Sequence, residues 1–258
     1  MSKVLLEIKD RLAYVTINRP ASLNCFDYET LCQLQETVER LHVDSQVHVV
    51  MITGAGEKAF CAGADLKERK GLTESEVRRN VRAIQAAFQA IEDLPQPTIA
   101  AVNGYCFGGG MELMLACDFA FAAQHATMGL TETSWAIIPG AGGTQRLPRR
   151  IGEMKAKELI FTAKRISAME AYDLGLVLRI TDKDSLNTAC TELAESIMSN
   201  GPIAVRQAKF AINHGLHTDL QTGLALEAKA YELTISTADR MEALTAFGEK
   251  RAPNFTGT

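Results

Sequence analysis

The chain has no excess of positive charge, no C-x-x-C pair, only one tryptophan, and no apolar run near the roughly 18 residues of a membrane span. Each absence removes a class of function. With 27 Lys+Arg against 31 Asp+Glu the net charge is −4, so no global field draws in nucleic acid or an anionic membrane surface. The six cysteines, Cys25, Cys32, Cys61, Cys106, Cys117 and Cys190, are dispersed. That is the pattern of reduced, mostly buried thiols, not of a disulfide framework or zinc site. His214 and His217 fall three apart at a helix end without a Cys or third His near them in sequence, so no metal site is expected. A G-x-x-x-x-G-K-[ST] phosphate loop and a G-x-S-x-G nucleophile turn are both missing, and no helix opens directly after Gly54 and Gly56 to support a dinucleotide fold. Residues 1–3 lead straight into a strand-like segment instead of a signal peptide, so the chain is expected to be cytoplasmic, or an organelle protein lacking its targeting segment.

At 258 residues, 47% hydrophobic and 22% charged, the chain is long enough for one large α/β domain or a domain with a small appendage. Residues 4–9 and 12–18 read as a β-hairpin turning at Asp10-Arg11. Leu31, Leu34, Val38 and Leu41 recur at helical spacing over residues 28–43, with Asp27 as N-cap, and residues 47–53 form an apolar run suited to a buried strand. A second helix spans 74–93, with Val81, Ile84, Phe88 and Ile91 on one face, and Pro95 and Pro97 end it. From about residue 184 the chain reads as successive helices, and Leu220, Leu224, Ala228, Tyr231 and Ile235 make an apolar stripe suited to packing or a subunit face.

Three stretches carry the chemistry. In the first, a strand over 98–102 runs into Asn103-Gly104-Tyr105-Cys106-Phe107-Gly108-Gly109-Gly110-Met111-Glu112, and an apolar helix over 112–116 follows. Glycines at a strand-to-helix junction expose backbone N–H groups beside a helix N-terminus, which suits an anion or oxyanion and brings the Glu112 carboxyl to the same small volume. Close packing with ordinary dipole complementation by Glu112 is the other reading. In the second, small residues gather over 54–67, with Asp65 placed to cap a helix. In the third, over 128–144, Glu132 has an apolar setting that raises its pKa if it is buried. Glu112 and Glu132 come from different elements and can meet only through the fold. Together with N–H donors, two converging carboxyls suit addition of water to a polarised double bond. Trp135 reads as a packed aromatic before a substrate gate, and Arg146, Arg149, Arg150, Lys155 and Lys157 read as helix and subunit-surface charge.

Cys61-Ala62-Gly63-Ala64-Asp65-Leu66, Asn103-Gly104 with Gly108-Gly109-Gly110, and Ile138-Pro139-Gly140-Ala141-Gly142-Gly143-Thr144-Gln145-Arg146-Leu147 resemble the hallmark stretches of the crotonase (enoyl-CoA hydratase/isomerase) family. The match is in order and spacing over about residues 5–255. The resemblance implies an α/β fold: a crotonase-like spiral of ββα units over residues 1–195, then a helical oligomerisation region over 196–258 that assembles a homotrimer or a dimer of trimers. It implies an oxyanion hole from the amides of Ala64 and Gly109, typically worth about 3 kcal/mol per donor. Glu112 would deprotonate the water that attacks Cβ, and Glu132 would deliver the proton to Cα. No cofactor is implied, since the CoA belongs to the acyl-CoA substrate. It would lie along Ala62, Ala64, Asp65, Leu66 and Lys67, with Phe247 and Lys250 reaching it from an adjacent subunit.

Within the family the chain is similar to the methylglutaconyl-CoA hydratase branch, on residues 60–69, 156–161 and 219–225. That branch includes an RNA-binding member with a row of lysines on its first helix. Here Arg40 is the only Lys or Arg over residues 28–43, so no nucleic-acid partner is expected. The expected activity is hydration of an enoyl-CoA thioester, with 3-methylglutaconyl-CoA as one candidate substrate and an enoyl-CoA isomerase or an RNA-binding or assembly protein as alternatives. Which side chain would meet a second carboxylate on the substrate is not legible.

Overall fold

A computed structural model describes residues 2–258. Its first element is the expected hairpin: β1 (Val4–Lys9) and β2 (Leu12–Ile17) pair antiparallel around Asp10 and Arg11, both at positive φ, as a tight turn between twisted strands requires. The helix α1 (Tyr28–Val43) follows, and Asp27 caps it by accepting from the Thr30 amide. Its stripe of Leu31, Leu34, Val38 and Leu41 is buried, and the chain returns as β3 (Val49–Gly54), parallel to β2.

From β3 a unit repeats three times. Each repeat sends one strand into a six-stranded sheet and a shorter strand into a four-stranded sheet, and then adds helix. The first repeat is β3, β4 (Ala59–Cys61), α2 (Leu66–Lys70) and α3 (Glu74–Glu92). The second is β5 (Thr98–Val102), β6 (Tyr105–Phe107) and α4 (Gly109–Ala116). The third is β7 (Phe119–Ala123), β8 (Thr127–Gly129), a 3-10 turn at Glu132–Trp135, α5 (Gly143–Ile151) and α6 (Glu153–Phe161). Then β9 (Ile166–Ser167) joins the small sheet antiparallel to β8, α7 (Ala168–Asp173) follows, and β10 (Arg179–Thr181) completes the large one. The sheet orders are β1-β2-β3-β5-β7-β10 and β4-β6-β8-β9. This is the ββα spiral that the resemblance implied.

Four helices complete the chain: α8 (Leu186–Met198), α9 (Pro202–Gly215), α10 (Leu220–Ile235) and α11 (Ala238–Glu249). Leu186, Ala189, Cys190 and Ala194 of α8 pack against Val49, Met51, Ile99 and Phe121, so α8 covers one face of the large sheet. Polar anchors hold α9: Lys209 Nζ reaches Asp118 Oδ2 at 2.7 Å and the Gln96 carbonyl at 3.0 Å. By contrast the α10 stripe is open, with Leu220 78% and Tyr231 65% exposed. No helix of the described residues is long and apolar enough to cross a membrane.

The structure corrects the first chemical stretch. The strand over 98–102 does not feed the glycines; β6 does, in the other sheet, and α4 begins at Gly109 instead of residue 112. Strands of three residues such as β4, β6 and β8 are too short to show a period in sequence, and a helix that opens on glycines hides its own start.

Candidate active site

The repeats leave a cleft of about 150 Å³ where the loops after β4, β6 and β8 meet α3. Asparagines staple these loops together. Asn103 Nδ2 donates to the carbonyls of Gly54 and Gly56 at 2.8 and 2.7 Å, tying the β5–β6 turn to the β3–β4 loop. Asn24, fully buried, donates likewise to Ala55 and Ala59. The β4–α2 loop is fixed by Phe26, whose backbone accepts from Asp65 N and donates to Gly63 O, both at 2.8 Å. This pairing leaves the Ala64 amide between them without a partner among the described residues. Gly109 is the first residue of α4, so its amide is also unspent. Gly63 packs on Gly109 with a built Cβ only 3.5 Å from its nitrogen, so the two free amides lie on one wall. Gly108, at φ 51° and ψ −123°, adopts backbone open essentially to glycine alone, and this turns the chain from β6 into α4 with its amides toward the cleft.

Glu112 and Glu132 both face this cavity. Glu112 sits in the first turn of α4 and is 3% exposed. Its Oε1 accepts from the Ala141 amide at 2.7 Å and the Gly143 amide at 2.8 Å. Burial pushes its pKa up, while those two N–H groups and the Arg146 charge pull it down. A Cβ on Gly143 would stand 3.0 Å from Glu112 Oε1, so glycine is what lets this amide reach the carboxylate. Glu132 lies half-buried on the 3-10 turn, and among the described residues no side chain or amide of another residue donates to it; its Oε2 is buried and unpartnered. Burial, with the Glu112 charge second, raises its pKa to about 7. Both carboxyls are shifted upward by burial, but they are supported differently: two amides and the Arg146 charge offset part of the shift at Glu112, whereas Glu132 has no such donors among the described residues and is the better suited of the two to hold a proton.

Of the other expected site residues, Ala62, Ala64, Asp65 and Leu66 line the cavity. Asp65 is also structural, capping α2 through the Lys67 and Glu68 amides and pairing with Arg19 at 2.9 Å. Lys67 is exposed and outside the lining, and Phe247, 85% exposed on α11, and Lys250, just after it, stand apart from their own chain's cavity. Two expectations are corrected. Trp135 is not a packed aromatic: the tight 3-10 turn projects it outward to the cavity rim, 62% exposed. Arg146 is not surface charge: it is 13% exposed and paired with Glu92 at 2.6 Å, because α5 turns it inward against α3. Sequence reasoning also passed over Arg69. It lines the cavity and lowers the Glu132 pKa through its charge, and its guanidinium makes no hydrogen bond or ion pair among the described residues. Its neighbour Glu68 is occupied by the Tyr28 amide and Asn80. In sequence, Glu68-Arg69-Lys70 looks like a solvated charge run; only its place four residues after the Asp65 cap marks the helix face involved.

Residues 7–258 match the family model described as enoyl-CoA hydratase/isomerase. The methylglutaconyl-CoA hydratase of Rattus norvegicus is 46% identical over 98% of this chain and 82% of its own length. The short-chain-enoyl-CoA hydratase of Clostridium acetobutylicum is 43% identical over 97% and 96%. The crystal structure of an enoyl-CoA hydratase from Bacillus anthracis, 50% identical, superposes over 100% of both chains with a TM-score of 0.98.

Proposed function

The chain belongs to the enoyl-CoA hydratase/isomerase family, and from that premise we propose that it adds water across the 2,3 double bond of an enoyl-CoA thioester. The observation that carries this reading is the pair of dissimilar carboxyls facing one cavity beside two unspent amides. The thioester oxygen lies between the Ala64 and Gly109 N–H groups, which draw charge from the conjugated double bond and make Cβ electrophilic. Ionised Glu112 takes a proton from water as its oxygen bonds to Cβ, and the π electrons move toward Cα and the thioester oxygen. Protonated Glu132 donates to Cα, and the enolate collapses to the 3-hydroxyacyl thioester. Glu112 ends protonated and Glu132 ionised, so one proton exchange between them or with solvent resets the site. An isomerase needs only one carboxyl to carry a proton between carbons, so the second favours hydration.

The substrate class follows from Arg69. A half-buried guanidinium without a partner among the described residues, on the wall beside Glu132, matches a second carboxylate at the far end of the acyl group, as in 3-methylglutaconyl-CoA. The CoA runs out past Leu66 and Lys67, with Phe247 and Lys250 supplied by a neighbouring subunit. The open apolar stripe of α10, Leu220, Leu224, Tyr231 and Ile235, is the subunit face. A solution mass of three or six times the 28.1 kDa chain is expected; a monomer would remove both the assembly and the shared CoA site.

Absorbance loss of the conjugated thioester tests the activity, with crotonyl-CoA and 3-methylglutaconyl-CoA offered separately. Hydration of the dicarboxylic substrate is expected to be preferred, and Arg69→Gln to lower its kcat/KM roughly 100-fold while sparing crotonyl-CoA. Equal loss on both substrates would refute the Arg69 assignment. No hydration of either by a protein that still binds CoA would refute the hydratase and bring the isomerase forward.

A further inference from the structure

The loop that holds Glu112 is itself held from behind by α3. The Gly140 carbonyl belongs to the same peptide unit as the Ala141 N–H, and it accepts from Gln85 Nε2 at 2.6 Å. The next carbonyl, that of Ala141, accepts from Arg146 Nη1 at 2.9 Å. Glu92 fixes Arg146 as a two-toothed fork, Nε to Oε1 at 3.1 Å and Nη2 to Oε2 at 2.6 Å, and Gln89 Oε1 takes a further contact from Nη2 at 3.2 Å. Two successive peptide planes are therefore pinned, and the amide between the pinned carbonyls points at Glu112 Oε1. A peptide whose carbonyl accepts a hydrogen bond is a more polarised donor, so Gln85 strengthens that N–H, while Arg146, on the following carbonyl, fixes its orientation. None of Arg146, Glu92 and Gln89 touches the cavity.

We infer that Arg146, locked by Glu92, is a positioning residue for proton transfer at Glu112: it holds the 140–143 loop so that one carboxylate oxygen is fully engaged and the other stays free for water. A lysine keeps the charge but cannot hold the Ala141 carbonyl and the Glu92 fork together. The charged groups around Glu112 are Arg146 of α5, Glu92 of α3 behind it, Glu132 across the cavity, and Asp65, Glu68 and Arg69 on the cavity wall from the α2 segment. The β4 and β6 strands packed on α4 present only Cys61 and Cys106, whose pKa values burial drives far up. Loss of the Arg146 charge therefore raises the pKa of Glu112.

Only the kinetic arm of the test rests on the hydratase reading. Arg146→Lys is expected to lower kcat roughly 10- to 100-fold, with KM changed by no more than about 3-fold. Arg146→Gln is expected, in addition, to move the acid limb of kcat/KM to higher pH. Adding Glu92→Gln to Arg146→Lys costs nothing further, since the pair acts as one unit. A merely structural role predicts activity that falls with the folded fraction and an unmoved pH profile, and that result would overturn the inference; if Arg146→Gln does not fold, Arg146→Lys and Glu92→Gln carry the test. A crystal structure of Arg146→Lys reads the same point without turnover. The Ala141 N to Glu112 Oε1 contact, 2.7 Å in the native protein, is expected to lengthen beyond hydrogen-bond reach; if it persists, the inference fails. Should the native protein hydrate nothing, the hydratase reading falls and this structure alone decides.

Discussion

The two glutamates come from segments built in opposite ways. Glu112 stands in a helix whose eight residues are all buried, its carboxylate gripped by two amides and backed by an arginine. Glu132 stands on a four-residue 3-10 turn with no fully buried residue and, among the described residues, no donor from elsewhere. A charge in a low-dielectric site survives only when hydrogen bonds replace the lost water, whereas a proton needs no such support. In the proposed hydration the rigid, donor-rich segment would thus carry the base, and the donor-poor one the acid.

The sharpest way to break this contrast is to remove each carboxyl in turn. Glu112→Gln and Glu132→Gln should each lower hydration about 10³-fold, the range for a lost general acid or base. An undiminished rate in either variant would show that only one carboxyl works. Next in size is Gly143→Ala. The added methyl meets Leu130 Cδ1 and Pro139 Cβ at 2.9 Å as well as Glu112 Oε1. A loss of ~1–3 kcal/mol of stability is expected from the crowding, together with a fall in kcat, read by thermal melts and steady-state rates. If Glu112 is not displaced, stability changes without kcat.

A pH profile compares the two directly. Glu132 must be protonated, so kcat/KM should fall as pH rises through about 7; Glu112 must be ionised, so an acid limb closes the bell at lower pH. In Glu132→Gln the alkaline limb should disappear from the residual activity. The smallest effect is on stability. The folded state raises the Glu132 pKa from an ordinary 4.5 to about 7, so its contribution is full below 4.5 and is lost as pH rises through 7. At pH 8 Glu132→Gln should therefore be more stable than the native protein by ~1–2 kcal/mol, a few degrees in Tm. A lower Tm would mean that the carboxylate has a donor in solution.

The hairpin, α1 with its Asp27 cap, and α3 were legible because each carries a full period of apolar residues or a cap with a fixed chemical signature. So were both glutamates, through their small-residue surroundings and the family resemblance. Arg69 and Arg146 were not. A guanidinium on a helix surface and one aimed into a cavity have the same local sequence, and which partner each meets depends on α2 and α5 packing against distant elements. Trp135 was misjudged for the same reason: its exposure follows from the tight turn that carries it.

By itself the sequence determined the repeating strand and helix content, the glycines that free two amides, and the two carboxyls available for acid-base work, since these depend on residue type and local spacing. Tertiary structure decided how differently the two carboxyls are supported. That difference comes from burial and from amides donated across 29 and 31 residues of chain, Ala141 and Gly143 to Glu112, and no local pattern encodes it.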